Sequence, residues 1–185
     1  MGQIEYLLDA YSRFVAIPWT ANLSGAERVW MLIYPPREER RLRMRISEFE
    51  TETCKAGHGW KLEDVTDSFP EWLSENENRE TYFEDPELLE PALERFAAAL
   101  SERVRASLAA DEVEDSTVVA LLGVGSLFGL TRVSFLLEQV ESHIRGRLLV
   151  FFPGERQGNN YRLLDGRDGW NYRATPITAY EEHPL

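Results

Sequence analysis

The sequence predicts one α/β domain built on a mainly parallel sheet flanked by helices, with an antiparallel extension at its C-terminal end. Three observations carry this. Apolar runs at Arg28–Tyr34, Thr117–Leu122 and Arg147–Phe152 lack polar alternation, as expected of strands covered on both faces. Segments with apolar residues at helical spacing separate them, giving the strand–helix alternation of βαβ units. From Pro153 onward the chain is rich in glycine, asparagine and aromatic residues, the texture of short antiparallel strands joined by turns.

The elements follow in order. Leu7, Leu8, Tyr11, Phe14 and Val15 lie at helical spacing, so Ile4–Phe14 reads as an amphipathic helix, and Pro18, Asn22, Ser24 and Gly25 then make a loop. Residues 1–25 thus form an N-terminal helix and loop. The run RVWMLIY, closed by Pro35 and Pro36, is the first central strand. Leu42, Ile46 and Phe49 recur at i, i+4 and i+7, which makes Arg37–Thr53 a crossover helix ended by Gly57 and Gly59. Trp60–Val65 is a weaker strand. Asp67 or Ser68 then caps a short helix carrying Pro70, Trp72 and Leu73.

Asp85 with Pro86 and Glu87 starts a longer helix, whose stripe runs through Leu89, Leu93, Phe96, Leu100, Val104 and Leu108. Pro91 lies in its first turns. The acidic stretch Asp111–Asp115 is a solvated loop before the strand Thr117–Leu122. A glycine-rich turn, Gly123–Gly129, leads to a helix with Val133, Leu136, Leu137, Val140 and Ile144 inward, then to the strand Arg147–Phe152. Residues 153–185 read as a hairpin-like tail pairing on one edge of the sheet.

Composition bounds the function. At 185 residues, 43% of them hydrophobic, the chain can bury a core without disulfides or a structural metal. A single cysteine, Cys54, excludes an internal disulfide framework, and with no basic, apolar leader at the start the expected compartment is the cytoplasm. No stretch approaches the length of a membrane span. The net charge of −12 argues against free-standing, sequence-blind DNA binding, which needs a positive footprint. Most of that negative charge lies in residues 71–115; residues 116–185 are balanced.

The junction LLGVGSLFGLTR is where an α/β fold usually holds a ligand, because strand ends and helix amides converge there. No known loop fits it. Gly123 and Gly129 are too far apart for a P-loop, and Leu130 stands in place of its lysine. Gly123 and Gly125 begin a dinucleotide loop, but Phe128 replaces the third glycine. A nucleophile elbow around Ser126 also fails. The first reading is a structural turn; the second is an unusual phosphate or partner site using Gly123, Gly125, Ser126 and Arg132; the third is a catalytic Ser126.

Metal binding is not expected. Cys54 and His58 are close in sequence, but His143 and His183 stand alone and a closed zinc site needs more donors. Asp165 and Asp168 resemble the start of a calcium loop without its later acid, so they read as turn residues, or as partners of Arg162 or Arg167. Arg37, Arg40 and Arg41 form a stripe opposite Leu42, Ile46 and Phe49: a solvated face, or else a contact to an acidic protein or to nucleic acid or phosphate. Phe152, Tyr161, Trp170 and Tyr172 cluster in the tail, either packed locally or exposed as an interface anchor.

The segments GVGSLFGLTR (Gly123–Arg132), GRLLVFFPGE and NNYRLLDGRDGWNY (within Gly146–Tyr172) resemble the BrxB family of BREX, or bacteriophage exclusion, proteins. The upstream RVWMLIYPPREERRLRMRI is also similar to that family, and the resemblance weakens between about Asp67 and Asp111. It implies a small Rossmann-like accessory factor of an antiphage system, associated with a PglZ-like protein of the alkaline phosphatase superfamily and with methyltransferase and ATPase components. It carries over no catalytic residue and no cofactor. The leading expectation is therefore a non-catalytic subunit that contacts another component through Phe128, Arg132, Arg162, Trp170 and Tyr172. The alternatives are a nucleotide- or phosphate-responsive turn, and a DNA contact through Arg37, Arg40 and Arg41 made only within the assembly.

Overall fold

The computed structural model describes residues 2–166 and 169–179. Helix α1 (Gln3–Val15) buries Ile4, Leu7, Tyr11 and Val15, while the Gly2 amide donates to Glu5 Oε2 at 2.7 Å and anchors its first turn. Strand β1 (Val29–Tyr34) is buried at all six residues. Its β-branched and aromatic side chains pack well on both faces of a pleated sheet.

The crossover that follows is not one helix. A 3-10 turn at Pro36–Glu38 leads into α2 (Glu39–Arg43), and α3 (Ile46–Lys55) begins after a break. Arg45 leaves helical geometry there, and its guanidinium forks onto Glu48 at 2.6 and 2.7 Å, starting a new first turn. The bend still leaves Leu42 and Phe49 fully buried. Strand β2 (Gly59–Asp64) lies at one edge of the sheet and is half exposed.

Helix α4 (Ser68–Glu75) is where the capping signal put it, and α5 (Arg79–Glu84), which no capping or periodic signal announced, follows. Asp85 accepts from the Glu87 amide at 3.3 Å, but Pro86–Leu88 form a 3-10 turn, so α6 spans Leu89–Ala109. Pro91 falls in the first turn of α6, where its missing N–H has no intrahelical partner to lose. Strand β3 (Thr117–Leu122) is again wholly buried. After the glycine turn, α7 is short (Val133–Val140), and Ile144 reaches the core from beyond a further 3-10 turn.

Strand β4 (Arg147–Gln157) runs well past the predicted Phe152 and turns back into β5 (Asn160–Leu163), which pairs with β6 (Trp170–Asn171). Strand β7 (Thr175–Ile177) then returns to pair with β1. The tail therefore does two things instead of capping one edge: its hairpin extends β4, and its last strand forms an edge beside β1. The order is β2-β3-β4-β1-β7, every neighbour parallel, whereas the β4–β5 and β5–β6 pairings are antiparallel. The sheet is mixed, which qualifies the expectation of a mainly parallel, Rossmann-like one; the order is neither of the two common doubly wound orders.

Both faces are covered. On one, α1, α2 and α3 pack Leu7, Tyr11, Leu42 and Phe49 against Trp30, Leu32, Ala120 and Phe151. On the other, α6 and α7 pack Phe96, Leu100, Val104 and Leu137 against Met31, Val119, Leu121 and Val150. Alternation along each strand supplies both cores at once.

Candidate functional site

The carboxyl ends of β1, β2 and β3, with Pro153 midway along β4, surround a cavity of about 300 Å³, lined by Glu39, Arg43, Thr66, Gly123, Gly125, Ser126 and Leu164 with Pro36 and Pro153. Open α/β sheets bind ligands at this position. Arg43, on α2, is the hub. Its Nε donates to Glu39 Oε1 at 2.7 Å, Nη1 to Asp64 Oδ2 at 3.2 Å and Nη2 to Thr66 Oγ1 at 2.6 Å. Thr66 in turn donates from its amide to Asp64 Oδ1 at 3.0 Å, and the buried Tyr34 hydroxyl donates to Glu39.

The electrostatics follow from these contacts. Burial pushes the Asp64 carboxyl up, but the Thr66 hydrogen bonds and Arg43 outweigh it and hold it below its ordinary value. Burial works against the Arg43 charge as well, and Glu39 and Asp64 overcome that and raise it. Burial and the adjacent Glu39 carboxylate push the Tyr34 phenol upward, so it stays a donor. The guanidinium is matched by two carboxylates, so the cavity presents no surplus positive charge to a phosphate.

Ser126 Oγ donates to Gly123 O at 2.8 Å and approaches Val65 O at 3.4 Å; among the described residues no histidine bonds it. Gly123, Gly125 and Ser126 thus lie together, as their spacing suggests, but Arg132 does not join them. It lines a separate groove of about 630 Å³ with Phe128, Gly129, Thr131, Leu163, Gly166 and Trp170. The separation arises because Gly129, at φ +77°, turns the chain away before α7 starts. Leu163 and Leu164, neighbours in sequence, line the groove and the strand-end cavity respectively. Leu164, at φ +51°, is the one non-glycine among the described residues in the left-handed region.

Three of the five predicted contact residues meet in this groove. Phe128 is 48% exposed, and Gly166 lets the tail backbone approach its ring, since a Cβ there would stand 3.2 Å from Phe128 Cε2. Arg132 is exposed at the N-terminus of α7, where its carbonyl accepts from the Leu136 amide, and its guanidinium makes no hydrogen bond or ion pair among the described residues. Trp170 is half buried against Phe152, Tyr161 and Tyr172, with ring centroids 5.5 to 6.2 Å apart. The other two belong elsewhere. Tyr172 is only 9% exposed and its hydroxyl donates to Glu141 Oε2 at 2.5 Å, so it is a core residue. Arg162 alternates with Leu163 on β5 and pairs instead with Glu155 at 2.9 Å.

The remaining candidates are placed as follows. Arg37, Arg40 and Arg41 are exposed, and Arg37 and Arg41 lean on the buried Glu38 at 3.8 and 3.2 Å. Cys54 is exposed and free, whereas His58 stacks on Trp19 at 3.8 Å. Among the described residues no group of three or more histidine, cysteine or acidic side chains could hold a metal. None of their helices is long and apolar enough to cross a membrane. Arg167, Asp168 and His183 lie outside the described residues. Neither Arg43 nor Leu163 stood out in the sequence; only their position at strand ends brings them to these clefts.

These features define a mixed α/β protein with clefts at the ends of its central strands and in the fold of its tail. The family model described as BREX protein BrxB matches residues 63–177, and the chain belongs to that family. Its role accordingly lies in BREX antiphage defence. The matched span takes in the acidic helices around α6, where the resemblance is weakest to the eye, and stops short of β1 and the arginine stripe. No curated protein and no solved structure matches the chain.

Proposed function

We propose that this protein is a non-catalytic, cytoplasmic accessory subunit of a BREX system that docks another component, such as a PglZ-like protein, in the groove between Phe128 and Trp170. One observation supports it above the rest: Phe128, Arg132, Leu163 and Trp170, from the glycine turn and two strands of the tail, converge on one cleft. An exposed aromatic ring beside an arginine whose guanidinium has no partner among the described residues is the composition of an interface anchor, since these side chains dominate binding energies. The strand-end cavity, its arginine neutralised by Glu39 and Asp64, suits a structural brace better than a phosphate site.

Co-expression with the PglZ-like protein, followed by light scattering on a sizing column, tests this. The expected result is a stable complex with wild-type protein and its loss in the Phe128→Ala/Arg132→Ala variant, whose circular dichroism and melting temperature match wild type. A variant that still binds like wild type removes the groove from consideration.

A further inference from the structure

At the opposite end of the sheet, where β1, β2, β3 and β4 begin, lies a second cavity of about 520 Å³. It gathers Arg28, Arg145 and Arg147 with His58, His143 and Trp19, and Asp115 is the one acid in its lining among the described residues. Arg147 is only 5% exposed. Its guanidinium donates to Gly146 O and Thr20 O, each at 2.9 Å, and lies 4.7 Å from the centre of the Trp19 ring. Arg28 donates to the carbonyls of Leu23 at 3.3 Å and Ile144 at 2.9 Å, and Arg145 to that of Ala110 at 3.0 Å.

Among the described residues, no carboxylate lies within ion-pair distance of any of these three arginines. That is unusual in a chain with 32 acidic residues against 20 basic ones. A buried guanidinium without a counter-charge is costly, and a second arginine beside it raises the cost. Carbonyl bonds satisfy a minority of the N–H donors on Arg145 and Arg147. One further ring nitrogen of the lining, Trp19 Nε1, is buried with no hydrogen-bond partner among the described residues.

We propose that this cavity binds a phosphate-type oxyanion, with Arg145 and Arg147 as the charges that recognise it. Guanidinium forks match the spacing of phosphate oxygens, and an anion seated between them supplies the counter-charge that no described residue provides. The Trp19 ring is already stacked on His58 and covered by Arg147, so it offers no face to a nucleobase, and recognition rests on the phosphate. The site stands apart from the Phe128 groove and is independent of any partner bound there.

Pyrophosphate is the probe. Calorimetry at low ionic strength is expected to show saturable binding, accompanied by movement of the His58 ring signals in nuclear magnetic resonance spectra. Arg145→Gln should weaken it by about ten-fold or more, and should leave the melting temperature of the free protein unchanged because Arg145 is exposed. Arg40→Gln, on the distant stripe, should change nothing. Absence of saturable heat up to about 5 mM, or equal affinity in Arg145→Gln, overturns the proposal. With binding established, competition by ADP or by a 5′-phosphorylated oligonucleotide identifies which carrier brings the phosphate.

Discussion

Gly123 and Thr66 are in such close contact that a Cβ on residue 123 would stand 2.3 Å from Thr66 Oγ1 and 2.7 Å from its amide nitrogen. The glycine also adopts φ +91°, which side chains resist. Both constraints come from one geometry: the end of β3 turns sharply under the loop that follows β2. Gly123→Ala should cost about 3 kcal/mol, read as a fall in the urea midpoint. A variant as stable as wild type would show that the turn can relax elsewhere.

Arg43 holds Glu39 and Asp64 together, so its removal leaves two carboxylates facing each other. Both members of the Arg43–Asp64 pair are partly exposed, with side-chain accessibilities of 32% and 42%, and solvent screens much of the effect. Arg43→Gln should therefore destabilise by about 1 kcal/mol at pH 7. In the wild type Asp64 lies below its ordinary value, so its contribution is present at neutral pH and is lost as pH falls through the folded value. The gap between the two proteins should shrink toward pH 3. Urea titrations at both pH values measure it, and a constant gap would contradict the assigned charges.

Where the sequence was legible, the reason was continuous burial or clear periodicity. The apolar runs at β1, β3 and β4 were plain, because a strand covered on both faces is apolar through its middle and keeps its few buried polar residues, Thr117 and Arg147 here, at its start. Helix α6 was equally plain from its stripe. The break at Met44 and Arg45 was not, because Leu42, Ile46 and Phe49 keep helical spacing across it, and α5 is too short to show a period. In the site, Phe128, Arg132 and Trp170 were identifiable as exposed-type residues in a glycine-rich setting. Tyr172 looked the same in one dimension, and only the position of Glu141, which takes its hydroxyl, makes it a core residue. Arg43 was hidden among its neighbours Arg40, Arg41 and Arg45, since only the register of a short helix turns it toward β2.

That distinction gives a direct comparison. Tyr172→Phe removes the hydrogen bond to Glu141 and keeps the ring packing against Trp170. The expected cost is about 1 kcal/mol of stability with no loss of partner binding, whereas Phe128→Ala should cost binding and little stability. Melting curves and co-purification of the two variants separate the effects. Loss of binding in Tyr172→Phe with unchanged melting would return Tyr172 to the interface.

His58 makes the stability of the sheet's opposite end depend on pH. Burial against Trp19 lowers its affinity for a proton, the Ser116 and Val15 carbonyls oppose that, and the nearby Arg147 charge adds to it, leaving the folded value below the ordinary 6.5. Over the window just below 6.5 the unfolded chain takes up a proton that the folded protein does not, so unfolding gains as pH falls. Stability should decline from pH 7.5 to 5.5, with part of that slope assigned to this one ring. His58→Gln should flatten it, whatever the variant loses in absolute stability through the missing stack. Chemical denaturation across that range in both proteins provides the slopes, and identical slopes would mean that His58 titrates as freely when folded as when unfolded.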